Sequence, residues 1–208
     1  MCQGCPPASC CRRSGFVASR PNETRQIAIH EAAIATFSER GFGGTSMANI
    51  ADAAGMSRPA LYQYFKNKGD IFASAFVALI DEHVDAALAA LDGPGSVAER
   101  LDAFLQGYEG DMWQRLSASA HPEEILEAKN DEVMSRVHAA ILRLRDGLGG
   151  YLIAVSQDHP VDETKLNGWI DVLQLAPKGF KADRPPVKTF RRRLTALADS
   201  VASDIAAD

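Results

Sequence analysis

The feature that most constrains the fold is a pair of short helical patterns separated by a glycine, within residues 45–68. The dipeptide Thr45–Ser46 is typical of helix caps, and apolar residues at helical spacing follow it. Gly55 ends this first pattern, because glycine adopts the left-handed backbone conformation at little steric cost. Ser57 then caps a second pattern, with Pro59 in its first turn, where a missing N–H matters little. The stretch predicts a helix-turn-helix, a motif whose second helix enters the major groove of DNA.

The second helix of this pair presents two different faces. Leu61 and Phe65 lie four residues apart, so they point the same way and are expected to pack in the core. The other face carries Arg58, whose guanidinium matches a guanine edge or a phosphate, and Gln63, which pairs with adenine. Ala60 permits close approach, and its methyl group suits a thymine methyl. This face therefore has the chemistry of a DNA-reading surface.

The same stretch resembles the DNA-binding module of the TetR/AcrR family of bacterial one-component regulators. The resemblance covers residues 22–83 and includes the upstream run TRQIAIHEAAIATFSERGF at Thr24–Phe42. The matching positions that follow are Thr45–Ser46, Ile50–Ala51, Ala54–Ser57, Leu61–Tyr62 and Tyr64–Lys68. Members of this family share the DNA reader and vary the sensor, so the rest of the chain matches only in length and helical character.

The resemblance and the side-chain chemistry together predict the DNA contacts. By resemblance, Tyr62, Tyr64 and Lys68 occupy positions that contact bases or backbone in this family. Lys68 also follows Asn67, a helix cap, and a lysine beside a helix N-terminus favours phosphate binding. Amphipathic packing is the alternative for the two tyrosines. The predicted DNA-binding residues are Thr45, Ser46, Ser57, Arg58, Pro59, Ala60, Tyr62, Gln63, Tyr64, Lys66 and Lys68.

The fold class predicted for the whole chain is all-α. Residues 22–83 are expected to form a three-helix DNA-binding domain with its helix-turn-helix at 46–65, and residues 84–208 a helical ligand-sensing and dimerisation domain. A single helix over Asn67–Leu91, on the order of 35 Å long, connects the two. Asp92–Gly95 ends that helix, because glycine and proline together break helical structure.

The first 21 residues are expected to be a disordered arm, because they lack apolar periodicity and are rich in proline, glycine and serine. The arm holds all four cysteines, and a zinc or thiol-sensing site is one alternative. We expect no metal and no cofactor, since adjacent cysteines ligate one metal awkwardly and the arm offers no scaffold. A basic arm that touches phosphates is a second alternative. The cysteines are Cys2, Cys5, Cys10 and Cys11.

The overall charge is weak evidence against a nucleic-acid partner. The net charge is −5 and the isoelectric point is near 5.6, but a local basic patch matters more than the total. No run of residues approaches the ~20 apolar positions needed to span a bilayer, and the N-terminus lacks the apolar core of a signal peptide. We therefore expect a cytoplasmic protein with no membrane partner. Basic residues in the N-terminal third include Arg25, Arg40, Arg58, Lys66 and Lys68.

Two helices are predicted at the C-terminal end, over Asp162–Ala176 and Pro186–Ala206, with a polar connection between them. The terminal helices of two subunits can pair as a four-helix bundle, and the family resemblance implies such a homodimer. A two-fold dimer also suits a palindromic DNA site with half-sites ~34 Å apart. Packing within one chain is the alternative for the apolar stripes. The predicted interface residues are Leu166, Ile170, Leu173, Phe190, Leu194, Leu197 and Val201.

The middle of the chain is expected to enclose a pocket for a moderately apolar small molecule. Helices are predicted over Val97–Tyr108, from Asp111, and from Pro122 to Val155 with a bend near Asn130–Asp131. Ordinary core packing is the alternative for each aromatic residue in these helices. The pocket residues predicted are Phe104, Tyr108, Met112, Trp113, His121 and Trp169.

Catalytic motifs are missing from the sequence. It contains no glycine-rich phosphate loop, nucleophile elbow or zinc-protease motif, so we expect no catalytic residues and no enzyme. The function predicted is a ligand-responsive bacterial transcriptional regulator, in the repressor mode that is usual for the family, which binds a palindromic operator in double-stranded DNA as a homodimer and is released by a small-molecule inducer. The alternative is a helical protein-interaction module, or an enzyme, that kept the fold without DNA binding.

Overall fold

Ten α-helices and one π-helical segment form the part of the chain that the computed structural model describes, residues 21–127, 131–156 and 161–207. These ranges contain no strand, and the all-α prediction is confirmed. None of their helices combines the length and apolar character needed to cross a membrane. The helices are α1 Pro21–Gly44, α2 Met47–Ala53, α3 Arg58–Leu61, α4 Lys68–Leu91, α5 Val97–Leu105, α6 Asp111–Ala118, α7 Pro122–Glu127, α8 Asp131–Val155, α9 Glu163–Phe180 and α10 Val187–Ala206, and the π-helical segment is Gln106–Gly110.

The first three helices pack around a small apolar centre that the start of α4 completes. Its fully buried side chains include Ile29 of α1, Ile50 of α2, Leu61 of α3 and Ile71 of α4. Helix α2 begins in a capping box: the Ser46 hydroxyl accepts the backbone N–H three residues on, and the side chain there accepts the Ser46 N–H. Such reciprocal bonds satisfy two backbone donors that a helix start otherwise leaves unpaired.

Helix α4 is central to the fold, because α1, α5 and α8 all pack against it. It is 24 residues long, so it extends ~36 Å. Buried side chains occur along its whole length, from Ile71 to Leu91. The domain boundary that we predict near residue 83 falls inside this continuous helix.

The helices that follow α4 differ from the predicted boundaries at two places. The π-helical segment joins α5 directly to α6, although two separate helices are predicted there. Helix α9 continues through the buried Pro177 to Phe180, so the predicted polar connection is shorter than expected. A proline tends to end a helix, and the sequence gives no sign that this one lies inside the last turn. The predicted bend falls partly outside the described residues, since 128–130 are not among them.

The connection between α6 and α7 is hydrogen-bonded to the end of α1. The backbone N–H of Ala120 and the hydroxyl of Ser119 both donate to the Ser38 carbonyl, at 3.0 and 3.1 Å. The Glu124 carboxylate of α7 accepts the Gly43 N–H at 2.9 Å. The helices that follow α4 are therefore fastened to the chain segment that leads into α2.

Candidate DNA-binding surface

The reader segment, residues 57–65, separates core from exposed side chains as the sequence predicts. Leu61 is fully buried, and Phe65 is buried beside it. Tyr62 and Tyr64 are exposed, so packing does not account for the two tyrosines within this chain. The Arg58 guanidinium donates to the Tyr62 hydroxyl at 3.2 Å and lies 5.5 Å from the centre of its ring. This contact holds an arginine and a phenol together on one outer face.

Local backbone chemistry positions this segment. Gly55 has φ +64°, a left-handed conformation that lets the chain turn between α2 and α3. The Ser57 hydroxyl accepts the Ala60 N–H and so caps the next helix. Regular α-helix ends at Leu61, four residues shorter than the predicted helix, but tighter turns continue to Phe65 through bonds such as Gln63 N–H to Ala60 O at 3.2 Å.

Lys68 does not have the geometry expected of a phosphate contact. Its ammonium donates to three backbone carbonyls, those of Phe42 at 2.6 Å, Thr45 at 3.0 Å and Gly43 at 3.3 Å. The ammonium also lies 4.7 Å from the centre of the Phe42 ring. An ammonium has only three donors, and all are in use. The structure therefore contradicts the prediction that this side chain contacts DNA and makes it a structural cation that binds the loop before α2.

Thr45 is a second correction. Only 3 % of the residue is exposed, and its hydroxyl donates to the Gly41 carbonyl at 2.7 Å. A buried hydroxyl that is already bonded cannot reach DNA, so Thr45 serves the turn between α1 and α2. Ala60 is half-buried, and the other predicted contacts are exposed: Ser46, Ser57, Arg58, Pro59, Tyr62, Gln63, Tyr64 and Lys66.

The predicted dimer residues lie mostly inside the chain's own core. Leu166 and Leu197 are half-buried, and the other five are buried within the single chain: Ile170, Leu173, Phe190, Leu194 and Val201. Ile170, Leu173, Phe190 and Leu194 have almost no surface left for a partner, so the structure does not support these four as interface residues. Val201 differs, because it also lines a groove between α9 and α10. The exposed apolar residues of α9 are instead Val172 and Leu175, at 46 and 55 %. The helical periodicity predicts the apolar faces of α9 and α10, but it does not show which of these faces points toward the core.

The predicted pocket residues do not converge on one cavity. Phe104 and Tyr108 line a cavity of about 120 Å³ that α8 and α9 complete. Met112 and Trp113 belong to two other pockets. The two remaining residues are engaged elsewhere: His121 lies 3.2 Å from the Glu124 carboxylate, and the Trp169 indole N–H donates to Asp204 at 2.7 Å. The six candidates therefore do not share one of the cavities found in the described residues, and a ligand site among them stays a prediction.

The cavity at Tyr108 is lined by polar groups that the sequence does not predict. Glu109 is buried in the π-helical segment and pairs with Lys181. Burial, together with the neighbouring Glu109 charge, raises the pKa of Tyr108 to about 12. The phenol is therefore a neutral hydrogen-bonding group at physiological pH. A π-helical turn, which often marks a functional site, places Tyr108 and Glu109 next to each other.

Metal binding finds no support in the described ranges, where no three histidine, cysteine, aspartate or glutamate side chains come together in a group that could hold an ion. The four cysteines, and the arginines of the arm, lie outside those ranges. Nothing in the sequence predicts the contact of Glu124 with Gly43. A carboxylate and a glycine 81 positions apart leave no local pattern that could have revealed it.

Comparison with known proteins agrees with this geometry. Residues 29–75 match the model of the family described as bacterial regulatory proteins, tetR family. The HTH-type transcriptional repressor SCO4008 of Streptomyces coelicolor is 30 % identical over 107 residues, which cover 51 % of this chain and 49 % of the repressor. The chain spans less than half the length of this repressor and of two other curated relatives that it matches.

Solved structures share the fold across nearly the whole chain. A transcriptional regulator of the TetR/AcrR family from Thermobifida fusca has a TM-score of 0.64 at 22 % identity, covering 84 % of this chain and 96 % of that one. The transcriptional regulator FadR from Bacillus subtilis, solved in complex with stearoyl-CoA, has a TM-score of 0.54 at 20 % identity, covering 86 % of this chain and 96 % of that one. At these identities the likeness shows the fold alone.

The reader segment, the family match and the shared fold define the class: a helix-turn-helix protein of the kind found in bacterial regulators. Within that class, residues 29–75 are similar to the tetR family of bacterial regulatory proteins, and the fold of the chain is that of a TetR/AcrR-family regulator.

Proposed function

We propose that the chain is a ligand-responsive transcriptional regulator, a repressor that binds a palindromic operator as a homodimer and is released by a small-molecule inducer. The observation that carries this proposal is the outer face of the reader segment. Arg58, Tyr62, Gln63 and Tyr64 are all exposed there, while Leu61 anchors the segment from behind. Arginine and glutamine read base edges, and tyrosine hydroxyls bind phosphates, so the face is equipped for both base readout and positioning.

The domain arrangement that we propose follows from α4. Residues 22–83 form the DNA-binding domain and residues 84–208 the sensing and dimerisation domain. Because α4 is continuous through that boundary, a tilt of its C-terminal half moves the reader. The bond from the Gly43 N–H to Glu124 gives a second connection, between α7 and the segment before α2. Effector and DNA then weaken each other's binding by the same factor, as linkage requires.

A groove between α9 and α10 supports dimerisation. It is lined by Gly168, Val172 and Leu197 among others, and a methyl group built on Gly168 would meet no atom within 4 Å. Exposed apolar surface of this kind marks interaction sites. A second copy is the occupant that a two-fold operator needs, so we place the subunit interface on this outer stripe instead of the buried one.

The effector site that we propose is the cavity behind Phe104 and Tyr108. Its walls are mainly apolar, and Glu109, Gln174 and Lys178 supply polar groups at its edge. An apolar cavity with a few polar groups is the usual form of a small-molecule site. Helices α8 and α9 form two of its walls, so an effector there contacts both the helix that packs on α4 and the helix that carries the groove.

A gel-shift titration with DNA flanking the protein's own gene tests the proposal. The full chain is titrated at two salt concentrations, with unlabelled competitor DNA, beside Arg58→Ala and Arg192→Ala. Arg192 is an exposed arginine of α10, so its variant removes the same charge away from the reader. We expect a salt-sensitive shift that Arg58→Ala weakens about tenfold or more, as loss of a bidentate base contact does, and that Arg192→Ala leaves unchanged.

The opposite outcome is also defined. If flanking DNA gives no shift at low salt and random-site selection enriches no sequence, the DNA-binding proposal is wrong. A protein-interaction module would then be the better account of the exposed tyrosines.

A further inference from the structure

A second pocket lies between the two halves of the molecule, separate from the cavity at Tyr108. Helices α1 and α4 form one wall, with Phe37, Phe72 and Phe76 among its side chains. Helix α6 forms the other wall, through Met112 and Leu116. The space between them has a volume of about 130 Å³. An empty apolar cavity of ~150 Å³ in another protein stays dry and binds benzene, so this space suits a single aromatic ring.

Helix α6 is fastened by polar contacts at both of its ends. None of the side chains of α6 is fully buried. At one end the Asp111 carboxylate accepts from Arg191 at 2.6 Å, and the Trp113 indole N–H donates to the Pro185 carbonyl at 3.1 Å. At the other end the bonds of residues 119–120 to Ser38 fasten the chain to α1. Polar contacts thus support the helix above a gap that its own side chains do not fill.

The one charged residue that lines this pocket is Arg115. It is exposed, and it makes no hydrogen bond or ion pair within the described part of the chain. Most other arginines of the sensor half do have such partners: Arg143 with Asp81, Arg145 with Asp171 and Arg191 with Asp111. An aromatic pocket with an uncompensated guanidinium at its edge is complementary to a ring that carries a carboxylate.

We propose that this pocket binds a small aromatic carboxylate, with the ring between the phenylalanines and Met112 and the carboxylate on Arg115. The ring would contact α1 of the DNA-binding half and α6 of the sensor half at once. Occupancy therefore stiffens the junction between them, whatever binds at Tyr108. The site requires neither DNA binding nor dimerisation, so its test is independent of the proposed function.

The test uses benzoate as the probe and benzamide as its neutral analogue of nearly the same shape. Affinities of the full chain are measured by calorimetry or ligand-observed NMR, beside Arg115→Gln and the control Arg192→Gln. We expect benzoate to bind about tenfold more tightly than benzamide, and Arg115→Gln to remove that preference, because a charge-assisted bond is lost. Arg192→Gln keeps it, since that arginine lies outside the pocket.

The position of the ring is checked with methionine methyl labelling. Met112 is one of five methionines, so its methyl signal is assigned from the missing peak in Met112→Leu. Cross-relaxation between benzoate ring protons and the Met112 methyl group is expected. Absence of binding at millimolar benzoate, equal affinity for benzamide, or contacts to other methionines without Met112 would each overturn the proposal.

Discussion

The ammonium of Lys68 lies 2.6 Å from the carbonyl oxygen of Phe42 and 4.7 Å from the centre of the same residue's ring. One side chain thus bonds the backbone and covers the aromatic face of a residue 26 positions earlier. The loop from 42 to 45 leads into the helix-turn-helix, so this contact sets where α2 begins. The role of Lys68 is to shape the reader, and Lys66 is the exposed lysine beside it.

Substitution of Lys68 and substitution of Lys66 are expected to have different effects. Lys68→Ala removes three hydrogen bonds from a charged donor, so the free energy of unfolding should fall by about 1–3 kcal/mol in urea denaturation. Lys66→Ala should change it by no more than about 0.5 kcal/mol, because Lys66 is exposed. In DNA titrations Lys66→Ala should lower the salt slope by about 1, as loss of a phosphate contact does. If Lys68→Ala leaves the free energy of unfolding unchanged, Lys68 is again a candidate for DNA contact.

Gly41 and Glu124 give a second test of the junction. Gly41 has φ +71°, and a methyl group built on it would lie 2.5 Å from the Glu124 carboxylate. Gly55 has φ +64° but open space around it. Gly55→Ala should therefore lower the free energy of unfolding by about 1–2 kcal/mol, through the strained backbone conformation alone, and Gly41→Ala should lower it further. In a Glu124→Ala background the excess should disappear, and equal costs in both backgrounds would show that the carboxylate moves aside freely.

His30 is expected to make stability depend on pH. Its ring lies 2.9 Å from the Ser74 hydroxyl of α4, and burial lowers its pKa below the ordinary value of 6.5. The unfolded chain therefore binds this proton more readily than the folded one. The stability that the neutral His30 ring gives the folded chain is fully present above pH 6.5 and is lost as the pH falls below that value.

The pH effect is measured as the change in urea midpoint between pH 7.5 and pH 5.5. His30→Gln should lose less stability over this interval than the unaltered chain, because glutamine can bond Ser74 without titrating. The matched control is His138→Gln, an exposed histidine of α8, which should keep the original difference. An unchanged difference in His30→Gln would assign the pH dependence to other groups.

The sequence predicted the helices and the reader much better than the roles of single residues. Caps such as Ser57 and turns such as Gly55 are local, because the atoms that satisfy them lie within a few residues. Leu61 and Phe65 followed from helical spacing alone. Lys68 did not, because its three acceptors lie 23 to 26 positions earlier in the chain. Nothing near Lys68 in the sequence shows that its charge is used internally.

The helices that follow α4 show the same limit. The helical periodicity of the sequence identifies an apolar stripe on α9. It does not identify the helix that packs against this stripe, because that depends on the tertiary structure. Leu173 therefore reads like an interface residue and is buried, whereas Val172, one position away, is exposed. Pocket residues are harder still to predict from sequence, because a cavity forms where the side chains of several helices leave a space between them.

The outer stripe of α9 supplies the last prediction. A glutamate in a two-fold interface meets apolar surface and its own symmetry mate, so Val172→Glu should dissociate the proposed dimer at micromolar concentration. The control is Ile27→Glu on α1, since Ile27 is also an exposed apolar residue and lies far from α9 in the sequence. Light scattering after size-exclusion chromatography should give a monomer mass for the first variant and a dimer mass for the second. If both variants remain dimers, the interface lies on a different face, and the exposed Leu142 and Ile153 of α8 become the next positions to test.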